Sequence, residues 1–318
     1  MIIVQLAGGL GNQMQQYALY RRFLSLGTEA KLDRGWFEDA AQQNVYARRE
    51  LELAYFRALP MTFATGEEIR ALTGGNGPSG YLMRRLGLRR SRMFAETEMY
   101  HADLLAKKDA YLTGYFACEK YYAEILPQLR ELFVFPEAES AEAGEANRRL
   151  ALQIEEERLR GIAAVCIHLR RGDYLAPENA ALLGGIATPA YYEGAVRTVR
   201  RELLQKEQAG CDRCHFYLFS DDPAYAYTLH FGEARETNTV CDWNQGKDSL
   251  LDMQLMSLCD GVICANSTFS FWGARLNPRP DKVMVRPSIH KTTQQFIPEQ
   301  MHALWEGWKL VNPAGEEV

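Results

Sequence analysis

The chain has 318 residues, with 36 Lys and Arg against 41 Asp and Glu for a net charge of −5, 47% hydrophobic residues and 24% charged residues. Its length suits about two domains with a large core. The composition excludes a fibrous or wholly disordered chain, and the acidic balance excludes a protein that chiefly coats nucleic acid or an anionic membrane.

The longest nearly apolar run, Ile162–Leu169, falls far short of the roughly 18 residues that signal a membrane span. No basic, apolar leader precedes the first Gly-rich turn, so the mature chain is expected to start at Met1. Seven scattered cysteines, an odd number, fit reduced thiols and a cytoplasmic location better than a disulfide framework.

In chain order, Ile2–Leu6 reads as a strand ending at the turn Ala7-Gly-Gly-Leu-Gly11. A helix follows, with Met14, Tyr17, Ala18, Phe23 and Leu24 near helical spacing. Residues 73–80 are loop material, and five arginines follow between Arg84 and Arg92. That cluster reads as a solvated loop, with an anionic partner or lipid head groups at a membrane surface as the alternative.

The acidic stretch Pro136–Gly161 lacks an apolar stripe and reads as an exposed helix joining two halves, with the domain boundary near residue 158. Domains of 1–157 and 158–318 follow, the C-terminal tail being assigned to pack back on the first. Beyond the boundary, strands are expected at 163–169, 215–220, 237–241, 261–265 and 282–285. Helices are expected at about 189–208, 223–230, 247–259 and 269–276. This alternation predicts an α/β fold with a mainly parallel sheet and ligand groups at the carboxyl ends of its strands.

Several clusters carry chemistry. His168-Leu-Arg-Arg-Gly-Asp-Tyr174 places a His, two Args and an Asp at the end of a buried strand. They form either a turn held by an Arg–Asp salt bridge or an anion site, because a guanidinium fork fits a phosphate bidentately. Asp221 and Asp222 lie side by side, yet neighbouring extended residues face opposite ways and rarely chelate one ion. Asp222 before Pro223 reads as a helix cap.

Asp260 stands at a helix C-terminus, where the helix dipole disfavours an acid unless it is paired. Asn266-Ser-Thr-Phe-Ser270 opens a helix and offers either an ordinary cap or a phosphate site. Gly9-Leu-Gly-Asn-Gln-Met14 begins like a dinucleotide fingerprint, with Asp33 downstream as a ribose partner, but lacks the third glycine. Cys211, Cys214 and His215 lack a second pair at zinc spacing, so no metal site is expected.

Taken in order, Gly8–Met14, His168–Tyr174, Phe219–Asp222 and Asp260–Ser270 resemble the four motif blocks of the bacterial α-1,2-fucosyltransferases of glycosyltransferase family 11. The last three are also similar to blocks of the α-1,6- and protein O-fucosyltransferases. The resemblance implies a GT-B scaffold, two facing Rossmann-like domains with a cleft between them. It implies inverting transfer of L-fucose from GDP-β-L-fucose to the 2-hydroxyl of a terminal galactose in an acceptor glycan, with GDP-fucose as substrate and neither metal nor other cofactor. A different linkage, a non-catalytic sugar- or nucleotide-binding protein and an NAD-type oxidoreductase are the alternatives.

On that resemblance Arg170 would grip the β-phosphate, His168 would lie beside the nucleotide and Asp260 would accept hydrogen bonds from guanine. Ser267 and Thr268, with nearby backbone amides, would hold the diphosphate, and Asn266 and Phe269 would join them in binding the donor. Gly11 and Asn12 would come from the N-terminal half, with Asn12 near the transferring sugar. Arg171, Asp173 and Asp221 would support these loops, and Asp33 and Asp173 are candidate bases. The acceptor and the oligomeric state are left open, and a cytoplasmic enzyme, free or peripheral at the membrane, is expected.

Overall fold

The computed structural model describes residues 1–39, 49–75, 91–97, 99–205, 211–294 and 298–318. Most of the arginine cluster Arg84–Arg92 lies outside them. The chain divides into two compact units, Met1–Val134 and Phe135–Val318. This boundary precedes the expected one near residue 158 because the helix Ala141–Leu159 belongs to the second unit. That helix is not simply exposed: it packs against the sheet and buries Ala143, Leu150, Ile154 and Glu157. Glu157 is buried because it is paired, accepting from Tyr217 Oη at 2.6 Å and contacting His215 Nδ1 at 2.7 Å.

The first unit holds four parallel strands, β1 (Ile2–Gln5), β2 (Ala30–Asp33), β3 (Met93–Ala95) and β4 (Ala110–Thr113), in the order β2-β1-β4-β3. The turn after β1 is stitched by two buried glutamines of the helix Leu10–Ser25. Gln13 donates to the carbonyls of Gly8 and Glu50 and accepts from Leu53 N, while Gln16 accepts from Ala7 N and donates to Gly114 O. Gly8 has φ +78°, and a Cβ there would stand 2.7 Å from Asn12 Nδ2, so the turn needs glycine at this point.

The second unit is built on β5 (Ile162–Leu169), β6 (Arg213–Ser220), β7 (Thr237–Cys241), β8 (Gly261–Ile263), β9 (Val283–Pro287) and β10 (Lys309–Val311). All are parallel, in the order β10-β9-β8-β5-β6-β7. The C-terminal tail thus contributes β10 to this sheet. Val165, Ile167, Leu218, Ile263 and Val285 pack with Tyr191, Ala195 and Val199 of the helix Pro189–Leu204 in one buried cluster. Burial on both faces accounts for the near-continuous apolar runs of β5 and β6. No helix of the described residues is long and apolar enough to cross a membrane.

Candidate active site

Strand order reverses between β5 and β8: the chain passes from β5 outward to β6 and β7, then returns to β8 on the other side. In a parallel sheet the crevice for ligands opens at the carboxyl ends of such a pair. The loops there are His168–Tyr174 after β5 and Cys264–Thr268 after β8. Two tyrosines of one helix anchor both ends, Tyr192 Oη donating to His168 O at 2.9 Å and Tyr191 Oη to Cys264 O at 2.5 Å.

Arg170 sits in a fork of acids, Nη2 at 2.6 Å from Asp173 Oδ1 and Nη1 at 2.9 Å from Asp221 Oδ2. Burial pulls its pKa down, but Asp221 and Asp173 outweigh burial and raise it. Nη2 donates to Asp173, Nη1 is ion-paired with Asp221, and the guanidinium lies 5.6 Å from the centre of the Tyr174 ring. Arg171 N donates to Asp221 Oδ1, its Nε pairs with Asp222 Oδ2 at 2.9 Å, and its guanidinium lies 3.7 Å from the centre of the Tyr225 ring. Asp222 caps the turn Pro223–Ala226 by accepting from Tyr225 N. Gly172 leaves room for this packing, since a Cβ there would lie 2.4 Å from Asp221 Oδ2.

His168 is 5% exposed and its Nδ1 has no hydrogen-bond partner. Burial, with the charge of Arg170 second, lowers its pKa to about 3, so the ring is neutral at physiological pH. It lies 5.7 Å, centre to centre, from Phe269 in the first turn of the helix Thr268–Leu276. Asn266 is fixed by donating to Leu183 O and His290 O, and Tyr174 Oη donates to Asn266 O at 3.0 Å, joining the two loops. Ser267 occupies the cap position without closing a cap hydrogen bond. Arg170, His168, Asn266, Ser267, Thr268 and Phe269 therefore share one sheet edge.

Asp260, for which the resemblance implies a guanine contact, is not brought together with them. It precedes β8, at the amino edge of the sheet, a strand away from the other residues. Its Oδ1 accepts from Arg158 Nε at 2.9 Å and lies 3.4 Å from Arg279 Nε, and its Oδ2 accepts from Ala164 N at 3.0 Å. The helix-dipole penalty is answered by these partners rather than by a ligand. In the segment between β7 and β8, Asp248 is buried and accepts from Glu139 N and Ser140 N, while Asp252, half-buried in the first turn of the helix Leu250–Met256, accepts from Asn244 Nδ2 at 2.8 Å. Burial raises its pKa to about 8. Asp252 gives little sign of itself in the sequence, since an acid in the first turn of a helix is ordinary.

Gly11 and Asn12 lie in the first turn of Leu10–Ser25 in the first unit. Asp33 is occupied by Tyr111 Oη at 2.6 Å and Gly35 N at 2.8 Å. His215, of the weak Cys–His cluster, is bound to Glu157 and Thr239. Among the described residues no group of three or more His, Cys, Asp or Glu side chains converges as a metal site would.

A parallel six-stranded sheet that reverses order between two loop-bearing strands defines a Rossmann-type α/β unit. Residues 90–311, more than half of the chain, match the sequence model of glycosyl transferase family 11. The chain belongs to that family and is a glycosyltransferase. It is 28% identical over 309 residues to the O-antigen biosynthesis glycosyltransferase WbnK of Escherichia coli, covering 89% of this chain and 92% of that one. It is 25% identical over 294 residues to an alpha-1,2-colitosyltransferase of Escherichia coli, covering 90% and 91%. Among solved structures, the fucosyltransferase NodZ from Bradyrhizobium aligns over 87% of this chain and 93% of its own at 15% identity, with a TM-score of 0.43.

Proposed function

We propose that this glycosyltransferase moves L-fucose from GDP-β-L-fucose to the 2-hydroxyl of a terminal galactose with inversion, forming an α-1,2 linkage. The observation that carries the reading is the meeting of the Arg170 fork and the Asn266–Thr268 helix start at the β5/β8 reversal. As the C1–O bond breaks, charge grows on the departing diphosphate. Arg170 and the backbone N–H groups at Thr268 and Phe269 stabilise that charge, and the chemistry needs no metal. His168, neutral and with Nδ1 open, hydrogen-bonds the nucleotide. Asn12 orients the sugar or the incoming hydroxyl. An oxocarbenium-like transition state asks little of a base, because the attacking hydroxyl loses its proton late.

A second reading has one supporting observation, the alpha-1,2-colitosyltransferase relative: the linkage is kept and the transferred sugar differs. Incubation with GDP-fucose or GDP-colitose and a panel of β-galactosides, followed by product mass spectrometry and linkage analysis, separates the two. Deoxyhexose gained at O2 of galactose supports the first reading, and transfer only from GDP-colitose supports the second. No product and no donor hydrolysis overturns both. Activity abolished by EDTA and restored by Mn²⁺ overturns the metal-free step.

A further inference from the structure

The loops at the β5/β8 reversal carry a charge puzzle. Two guanidinium groups, Arg170 and Arg171, face three carboxylates, Asp173, Asp221 and Asp222. With His168 neutral, this set is net negative by one charge. It is a poor holder for a diphosphate unless positive potential comes from elsewhere.

Below the helix Thr268–Leu276 lies such a source. Val285 packs in the core cluster against Pro189–Leu204, so strand alternation turns its neighbour Arg286 to the opposite face of β9. Arg286 is 0% exposed. Its Nε donates to Pro287 O at 3.1 Å, Nη2 lies 2.7 Å from His290 Nδ1, and Nη1 has no partner. The guanidinium lies 3.6 Å from the centre of the Trp305 ring and 4.4 Å from that of Phe271. No carboxylate is among these contacts; burial, with the charge of Arg275 second, pulls the Arg286 pKa down, yet an arginine keeps its proton at neutral pH. Arg275, 1% exposed, lies 4.9 Å from the centre of the same Trp305 ring. Arg286 is thus a buried cation with no carboxylate beside it, which is costly, and that cost calls for a compensating anion. Arg286 also connects to the helix start, because His290, beside its Nη2, accepts from Asn266 Nδ2 through its backbone oxygen.

We infer that Arg286 is a positioning residue for the diphosphate, raising the potential at the start of Thr268–Leu276 from within the core without touching the ligand. The inference rests on the proposed nucleoside diphosphate sugar donor. A unit charge about 10 Å from an anion, at an effective dielectric of about 20, changes affinity by about tenfold.

Calorimetric titration of GDP, guanosine and inorganic pyrophosphate into wild-type, Arg286→Met and Arg286→Lys proteins tests it. Arg286→Met is expected to weaken GDP about tenfold and leave guanosine unchanged. Arg286→Lys is expected to keep the preference for GDP over guanosine at pH 7 and lose it as the pH rises to about 8.5, below the ionisation of guanine itself, since a buried lysine gives up its proton early. The wild-type preference stays flat over that range. The groups facing this position are Arg275, His290, Tyr191 and Cys264. His290 is held neutral by burial, and burial raises the pKa of Tyr191 and takes that of Cys264 to about 12, so none changes charge between pH 7 and about 8.5. A folded Arg286→Met protein with the wild-type ratio of GDP to guanosine affinity overturns the inference. If that variant does not fold, a pH-independent ratio in Arg286→Lys does so. Wild-type protein that binds pyrophosphate but not GDP overturns the donor reading and keeps the anion role, and protein that binds neither overturns both.

Discussion

Arg170 and Asp221 meet at 2.9 Å across the carboxyl ends of the adjacent strands β5 and β6. The contact fixes the plane of a guanidinium whose second edge is held by Asp173. An arginine gripped on two sides can be aimed at a fixed point where charge develops, which is where one donor counts most. Arg170→Ala is expected to lower kcat on the order of 10²–10³-fold, with a smaller change in KM. Steady-state kinetics of GDP release decide it, and near-normal turnover removes Arg170 from the chemistry.

Buried neutral, His168 makes acid stability a direct readout of its environment. Its native pKa of about 3 lies below the ordinary value of 6.5. The unfolded chain therefore takes up a proton below pH 6.5 that the folded chain refuses. The contribution is fully present above pH 6.5 and is lost as the pH falls toward 3, at about 1.4 kcal/mol per pH unit. Urea unfolding between pH 7 and 4.5 is expected to show a shallower loss of stability for His168→Gln than for the wild type. Equal slopes contradict the neutral assignment.

Much of the second unit was legible because its strands announce themselves. Ile162–Leu169 and Arg213–Ser220 are long, apolar on both faces and bounded by turn residues. The short strands β2, β3, β4 and β10, of three or four residues each, hold their places through neighbours remote in sequence, and no local pattern marks them. The His168–Tyr174 and Asn266–Phe269 loops were found because polar groups at the end of a buried strand need an explanation. Asp260 precedes its strand, so the carboxyl-end rule sets it apart from these loops, and only the motif resemblance joins it to the donor. Arg275 and Arg286 passed unnoticed because an isolated arginine gives no sign that it is buried.

Asp260 should behave as an architectural residue. It ties Arg158 of the covering helix to the amino edge of β5 and β8. Removing one partner of a buried pair strands the other, a loss of about 3–5 kcal/mol. Arg158 keeps Glu155 and some solvent, so Asp260→Ala is expected to cost about 2–3 kcal/mol. Chemical denaturation gives the stability, and GDP titration of the folded variant should match the wild type. Loss of GDP binding in stably folded Asp260→Ala protein restores the guanine role.

Gly172 offers the sharpest test of the loop geometry, since its missing side chain is what lets Asp221 approach. An alanine Cβ would lie 2.4 Å from Asp221 Oδ2, well inside van der Waals contact, and would push the carboxylate off Arg170. A misplacement of about 1 Å in a positioning group can lower a rate by up to about 10²-fold, so Gly172→Ala is expected to reduce kcat on the order of tenfold or more. The effect travels through Asp221, so it should be strongly non-additive: in an Asp221→Ala background, where the clash is gone, Gly172→Ala should change kcat little. Kinetics of the two single variants and the double variant complete the cycle. Independent, multiplying losses would mean that Gly172 acts on the loop by some route other than Asp221.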